Sequence, residues 1–183
     1  MASSEPTKIV FKVILCGSYA VGKTSLVFRY VEDAFQHNAM ATIGANFLVK
    51  KFIFREGDVD YEVIMQLWDV SGTIREVHEV AEAFFMGGKC AFFVHDLTRD
   101  WTRDDILDWH KRVTKTTGKD ILSMVIGNKL DLVEETEEIH ETSRDMVSRI
   151  DAMKYFLTSA KTGAGVREVF EEMAREYCRK IVG

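Results

Sequence analysis

Proline occurs once in the 183 residues, at Pro6, and cysteine three times, at Cys16, Cys90 and Cys178. So little proline leaves no room for a proline-rich spacer. Three cysteines without CxxC or His/Cys spacing build neither a closed disulfide framework nor a zinc site. That usage points to a reducing, intracellular compartment. Positive charge is not in excess: 24 Lys plus Arg stand against 29 Asp plus Glu, a net charge of -5. With no basic stripe interleaved with aromatics, nucleic acid is not an expected partner. Long hydrophobic runs are missing too, since stretches such as residues 90–94 are only strand-sized. The opening MASSEPTKIV has neither an apolar signal core nor the glycine at position 2 that myristoylation needs. Residues 178–183 lack a CaaX or terminal-cysteine signal, so membrane association through a lipidated C-terminus has no support. The expectation is a cytoplasmic monomer.

What is present is ordinary globular material, 46% hydrophobic and 29% charged, enough to bury a core in one domain. Residues 1–7 read as a short disordered leader and residues 8–183 as a single domain. Residues 9–16 are an apolar, β-branched run of strand length, followed by a glycine and then by helical spacing over residues 21–31. Two strand-like runs, 46–54 and 61–69, flank the turn signal Arg55-Glu-Gly-Asp58 and predict an antiparallel hairpin. A loop and short helix lead to a buried strand at 90–95. Thr102 with Asp105 reads as a capping box for a helix whose inner face carries Ile106, Trp109 and Val113. Short strands at 121–126 and 154–157 alternate with helices at 139–150 and after Val166. This alternation predicts an α/β fold, a mostly parallel sheet with helices on both faces and binding loops at the carboxyl ends of its strands.

Two motifs carry chemistry. Gly17, Ser18, Tyr19, Ala20, Val21, Gly22, Lys23 and Thr24 match GxxxxGK[ST] between the first strand and first helix, and Ser25 follows. Such a loop turns its N–H groups around a β-phosphate, Lys23 supplies charge to the β and γ oxygens, and Thr24 offers a hydroxyl to Mg2+. A nucleoside triphosphate is the expected ligand. Asn128, Lys129, Leu130 and Asp131 follow a strand as NKxD, and an aspartate can accept from both N1–H and the exocyclic amine of guanine. Adenine offers no such pair. After the next strand come Ser159, Ala160 and Lys161, placed to offer a backbone N–H to the guanine oxygen and an aliphatic stem to the base. The five histidines, His37, His78, His95, His110 and His140, are scattered without ligand spacing, which leaves no basis for a histidine-based metalloenzyme.

With Thr42-Ile-Gly44 and Trp68-Asp-Val-Ser-Gly72 standing between them, these motifs resemble, in order, those of small GTPases of the Ras superfamily, closest to the Rab and Ras branches. The resemblance runs from about Lys8 to Arg179. It implies a P-loop G domain, a six-stranded sheet with one antiparallel strand, and a switch that binds GTP or GDP with Mg2+ and hydrolyses GTP. Carried over, Thr42 resembles the switch I threonine on Mg2+ and the γ-phosphate, Asp69 the aspartate that holds Mg2+ through water, and Gly72 the γ-phosphate N–H donor. Lys23, Thr42 and Thr73 stand at the catalytic positions. Phe35 falls where the family packs an aromatic edge-on against guanine, and a core role is an equal alternative. Effectors, an exchange factor and an activating protein would engage switch I, with Gln36 first and Phe47 last, and switch II, with Asp69 first and Gly87 last. Asn46-Phe47, Trp68 and Phe84 lie where Rab members carry an effector-binding aromatic triad.

Three positions depart from the family. Thr73 stands where most Ras-like members have the glutamine that orients the attacking water, and its side chain is too short for that. Tyr19 and Ala20 replace residues that are usually smaller, and Tyr19 is placed to crowd the γ-phosphate side. Slow hydrolysis is the expectation. The alternative, from another class, is a GTP-binding scaffold with little or no turnover. Arg75 and Glu76 are further polar candidates for aiming at the water.

Overall fold

In a computed structural model of the protein, residues 5–35, 42–73 and 78–182 are described, with the side chains of 74–81 left aside. The readings on the start of the leader, on His37 and the rest of 36–41 in switch I, on Arg75 and Glu76, and on Gly183 lie outside the described residues.

Strand β1 (Thr7–Cys16) shows why an unbroken apolar run folds as it does. Val13 and Leu15 enter one hydrophobic core while Ile14 and Cys16 enter another, so both faces are covered. Such double burial is the signature of a strand inside a parallel sheet. The same alternation divides β4 (Cys90–Asp96), with Phe92 and Val94 on one side and Ala91 and Phe93 on the other. Around them lie β2 (Ala45–Glu56), β3 (Val59–Val70), β5 (Leu122–Asn128) and β6 (Lys154–Leu157). The order is β2-β3-β1-β4-β5-β6, with β2 antiparallel to β3 and the other pairings parallel. The expected sheet, including its single antiparallel strand, is therefore what forms.

Helices α1 (Lys23–Glu32) and α6 (Val166–Val182) close one face through Leu26, Val27, Val169 and Phe170. The ring of Tyr30 stacks on Phe170 with centroids 4.3 Å apart. The other face is covered by α2 (His78–Phe85), by α4 (Ile106–Thr117) and by α5 (Glu137–Ile150), contributing Phe85, Trp109, Val113, Met146 and Ile150. A single-turn helix α3 (Trp101–Asp104) precedes α4.

Some element ends differ from the reading of the sequence. The first strand takes in Thr7, the last residue of the expected leader, because Thr7 pairs with Tyr61. The hairpin strands run on to a turn between Glu56 and Val59, opening on Gly57 at φ +60°, where glycine suits a primed turn. The capping box does not form: helix begins at Trp101, Thr102 Oγ1 donates to the Arg99 carbonyl at 2.7 Å, and Asp105 accepts from the distant Ser18. Among the described residues no helix is long and apolar enough to cross a membrane. All three cysteines are buried.

Candidate functional site

Because β1, β3, β4, β5 and β6 run parallel, their carboxyl ends deliver five loops to one edge of the sheet. There the loops enclose a cavity of about 370 Å3, within the range of small-molecule sites. Tyr19, Ala20, Gly22, Lys23, Thr24, Ser25, Phe35, Thr42, Gly72, Asn128, Lys129, Asp131, Ala160 and Lys161 all line it, so motifs spread over the chain become one site. Ser71 and Leu132 line it as well, though neither stood out in the sequence. Gly17, Ser18, Val21, Ser159, Asp69 and Thr73 stand behind or beside the wall.

The phosphate loop turns through Gly22 at φ +97°, and a Cβ there would lie 2.3 Å from Asn128 Nδ2. Only glycine permits both the left-handed turn and that approach. Asn128 is buried and acts as a cross-brace. Its amide donates to the Val21 carbonyl at 2.9 Å, and its Oδ1 accepts from Thr158 Oγ1 at 3.1 Å and from the Ala160 N–H at 3.2 Å. Lys23 is buried too, and its ammonium donates to the carbonyls of Gly17 at 2.7 Å and Ser18 at 3.0 Å. Burial pulls its pKa down to about 8, against the opposing charge of Asp69.

Beside Lys23 lies a cluster of oxygens. Thr24 Oγ1 donates to Asp69 Oδ2 at 2.5 Å, the Thr24 and Thr42 hydroxyls are 2.9 Å apart, and Thr42 Oγ1 reaches the same Asp69 oxygen at 3.4 Å. Asp69 is buried, and its other oxygen has no hydrogen-bond partner. Burial pushes this carboxyl up, opposed by the Thr24 bond, the Lys23 charge and Thr42. An orphaned buried carboxylate oxygen beside two hydroxyls is a hard-oxygen set that fits Mg2+.

In the NKxD loop Asp131 accepts from Ser159 Oγ at 2.6 Å and faces Lys161 Nζ at 3.7 Å. Ser159 thus orients the aspartate from behind the cavity wall. Phe35 lines the cavity and also packs on the core that α1 and α6 cover. Gly72 sits directly against the phosphate loop, where a Cβ would lie 2.4 Å from the Tyr19 nitrogen. Thr73 is exposed, and its hydroxyl is 2.9 Å from Ser71 Oγ. Tyr19 is 53% exposed at the cavity mouth. The rings of Phe47 and Trp68 lie 5.3 Å apart and those of Trp68 and Phe84 6.4 Å apart, so the aromatic triad is contiguous, with Phe47 half exposed.

Arg99 and Asp105 also meet the phosphate loop, at Tyr19 and Ser18, with Asp96 behind Arg99; sequence reasoning gave Arg99 and Asp96 no role and Asp105 only that of a helix cap. The one available signal was an aspartate ending the mostly apolar strand β4.

The Ras family model matches residues 12–179 of the chain. Ras-related protein Rab-8B of Homo sapiens is 32% identical over 174 residues, covering 94% of this chain and 80% of that protein. The Ypt/Rab-type GTPase YPT7 of Saccharomyces cerevisiae is 34% identical over 177 residues, covering 94% of this chain and 83% of its own. Ras-related protein Rab-12 of Homo sapiens is 29% identical, with 96% and 70% covered. A match spanning the phosphate loop, both switch positions and the guanine-type loop, on a sheet of this order, makes the chain a Rab-like small GTPase of the Ras family.

Proposed function

We propose that the protein is a cytoplasmic, monomeric guanine-nucleotide switch that binds GTP and GDP with Mg2+ and hydrolyses GTP slowly. The observation that carries this reading is the convergence of Lys23, Thr24, Thr42 and Asp69 with Asp131 on one cavity. Lys23 would hold the β and γ oxygens, and Asp131 would accept from the two guanine donors. Thr24 and Thr42 would hold the metal directly, with Asp69 reaching it through water. Mg2+ there would supply charge neutralisation for the phosphates. Because Thr42 belongs to the loop that follows α1 while Thr24 opens the helix itself, Thr42 would report the γ-phosphate and Thr24 would serve both states. Effectors, an exchange factor and an activating protein would read switch I and switch II, with Phe47, Trp68 and Phe84 as the effector-facing surface. Trafficking suits the Rab-type relatives.

Slow turnover follows from Thr73. A water must be held in line with the β-γ bridge, and this hydroxyl is engaged with Ser71. The same bond favours the second reading, a GTP-binding scaffold with little or no turnover. Single-turnover hydrolysis separates the two, since a switch clears its GTP and a scaffold keeps it. Thr73→Gln is expected to raise the rate about tenfold, or about 1.4 kcal/mol of transition-state stabilisation. It is read beside Tyr19→Gly, because the phenol stands at the cavity mouth and can mask the restored carboxamide. Wild type as fast as both variants would mean that another group positions the water.

A further inference from the structure

The segment joining β4 to α4 grips the phosphate loop at two consecutive residues. Arg99 Nη2 donates to the Tyr19 carbonyl at 3.1 Å, and Ser18 Oγ donates to Asp105 Oδ2 at 2.5 Å. The guanidinium is itself anchored, because its Nε donates to Asp96 Oδ2 at 2.8 Å. The same carboxylate oxygen accepts from Lys129 Nζ at 2.5 Å, and the other accepts from the Thr98 N–H at 2.9 Å and hydroxyl at 2.7 Å. The Asp96 side chain is fully buried, so these bonds have no competing water. Burial raises its pKa, but hydrogen bonds from Lys129, Thr98 and Arg99 outweigh that and hold it below the usual carboxylate range. Trp101 lies 5.4 Å from the guanidinium carbon and flanks it.

The consequence lies in the peptide that Arg99 holds. Every described peptide bond is trans, so the Tyr19 carbonyl and the Ala20 N–H point in opposite directions. Pinning the carbonyl outward on Arg99 turns the Ala20 N–H toward the cavity that Ala20 lines. Ala20 pays for this with a left-handed backbone at φ +58°, a conformation unfavourable to any residue with a Cβ. Two observations therefore meet at one peptide: a strained non-glycine residue and a charge-assisted bond that holds it in place.

The geometry points to Arg99, seated on Asp96, as a positioning residue that sets the Tyr19–Ala20 peptide as a phosphate donor. This inference rests on the nucleotide-binding reading above and adds the group that shapes the phosphate loop in this chain. Arg99 does its work by bridging, donating from Nε to one partner and from Nη2 to another, and the planar guanidinium holds those two donors apart, a span that a lysine's single nitrogen does not cover.

The test is the dissociation rate of a fluorescent GDP from the Mg2+-loaded protein, with displacement by guanosine measured alongside. Arg99→Ala is expected to release GDP about tenfold faster, and Arg99→Lys to behave like Arg99→Ala. Guanosine affinity should be unchanged in both, because guanosine has no phosphate for the loop to hold. Asp96→Asn should also speed GDP release, and adding Arg99→Ala to it should give less than the product of the two effects. In an Ala20→Gly background, where the left-handed turn carries no penalty, loss of Arg99 should cost less than in the wild type. Wild-type release from Arg99→Ala, or a guanosine affinity that falls as far as that for GDP, would overturn the brace. A wild-type protein that bound no guanine nucleotide would overturn the nucleotide reading itself, so the two failures are separable.

Discussion

Replacing Asp131 with asparagine is expected to weaken GTP and GDP binding by a hundredfold or more and to improve binding of xanthosine triphosphate. The carboxylate is presented by Ser159 Oγ at 2.6 Å with Lys161 Nζ at 3.7 Å, leaving it acceptor-only toward the cavity. Guanine offers two donors to it, in charge-assisted bonds worth about 1.5–3 kcal/mol each; the amide of Asp131→Asn keeps one uncharged acceptor and turns its own N–H donors against the exocyclic amine, so one bond is lost, the other is weakened and a donor is left unpaired, at least about 3 kcal/mol in all. At 1.4 kcal/mol per decade this is about two orders of magnitude. The amide of Asp131→Asn can donate to the xanthine oxygen, which gives the expected inversion. Competition binding with GTP, ATP and xanthosine triphosphate reads it directly, and an unchanged preference for GTP would take Asp131 out of the base site.

Lys23→Ala is expected to be as damaging, releasing GDP about a hundredfold faster or more. The ammonium is buried and held by the Gly17 and Ser18 carbonyls at 2.7 and 3.0 Å, so it is already placed before a phosphate arrives. Preorganisation of that kind removes the ordering cost of binding. Two charge-assisted bonds to phosphate oxygens again amount to about 3 kcal/mol or more. The loss should fall on nucleotides and spare guanosine, which separates a phosphate contact from a general loosening of the fold. Thermal melting without nucleotide checks that the variant is folded. Retention of GDP at the wild-type rate would show that Lys23 serves only its own loop.

The phosphate loop and the NKxD loop could be read from sequence because each is contiguous and each follows an apolar run that can only be a buried strand. Lys23 and Thr24 lie at the first turn of α1, and Asn128 to Asp131 begin where β5 ends, so local sequence determines both chemistry and place. The sheet was legible for the same reason. Alternating burial of Val13, Ile14, Leu15 and Cys16 is a local consequence of strand geometry.

What stayed hidden depends on partners far along the chain. Ser18 and Asp105 are 87 residues apart, and Arg99 is 80 residues from Tyr19, so no spacing rule links them. Thr102 and Asp105 have the composition of a capping box, but the hydroxyl of Ser18 and the fold of the 96–102 segment offered both side chains better partners. Tertiary contacts overrode a local preference there, at a loop that shapes the site. Ser71 is a milder case. It reads as a spacer between Asp69 and Gly72, yet it lines the cavity and engages Thr73.

The central claim, a guanine-nucleotide site built by Lys23, Thr24, Asp69 and Asp131, is tested most directly by titrating the nucleotide-stripped protein with fluorescent GDP in the presence of Mg2+ and competing with unlabelled GTP and ATP. The account predicts saturable, Mg2+-dependent binding that GTP displaces and ATP at the same concentration does not. Displacement by ATP as effective as by GTP, or no saturable binding at all, would contradict it.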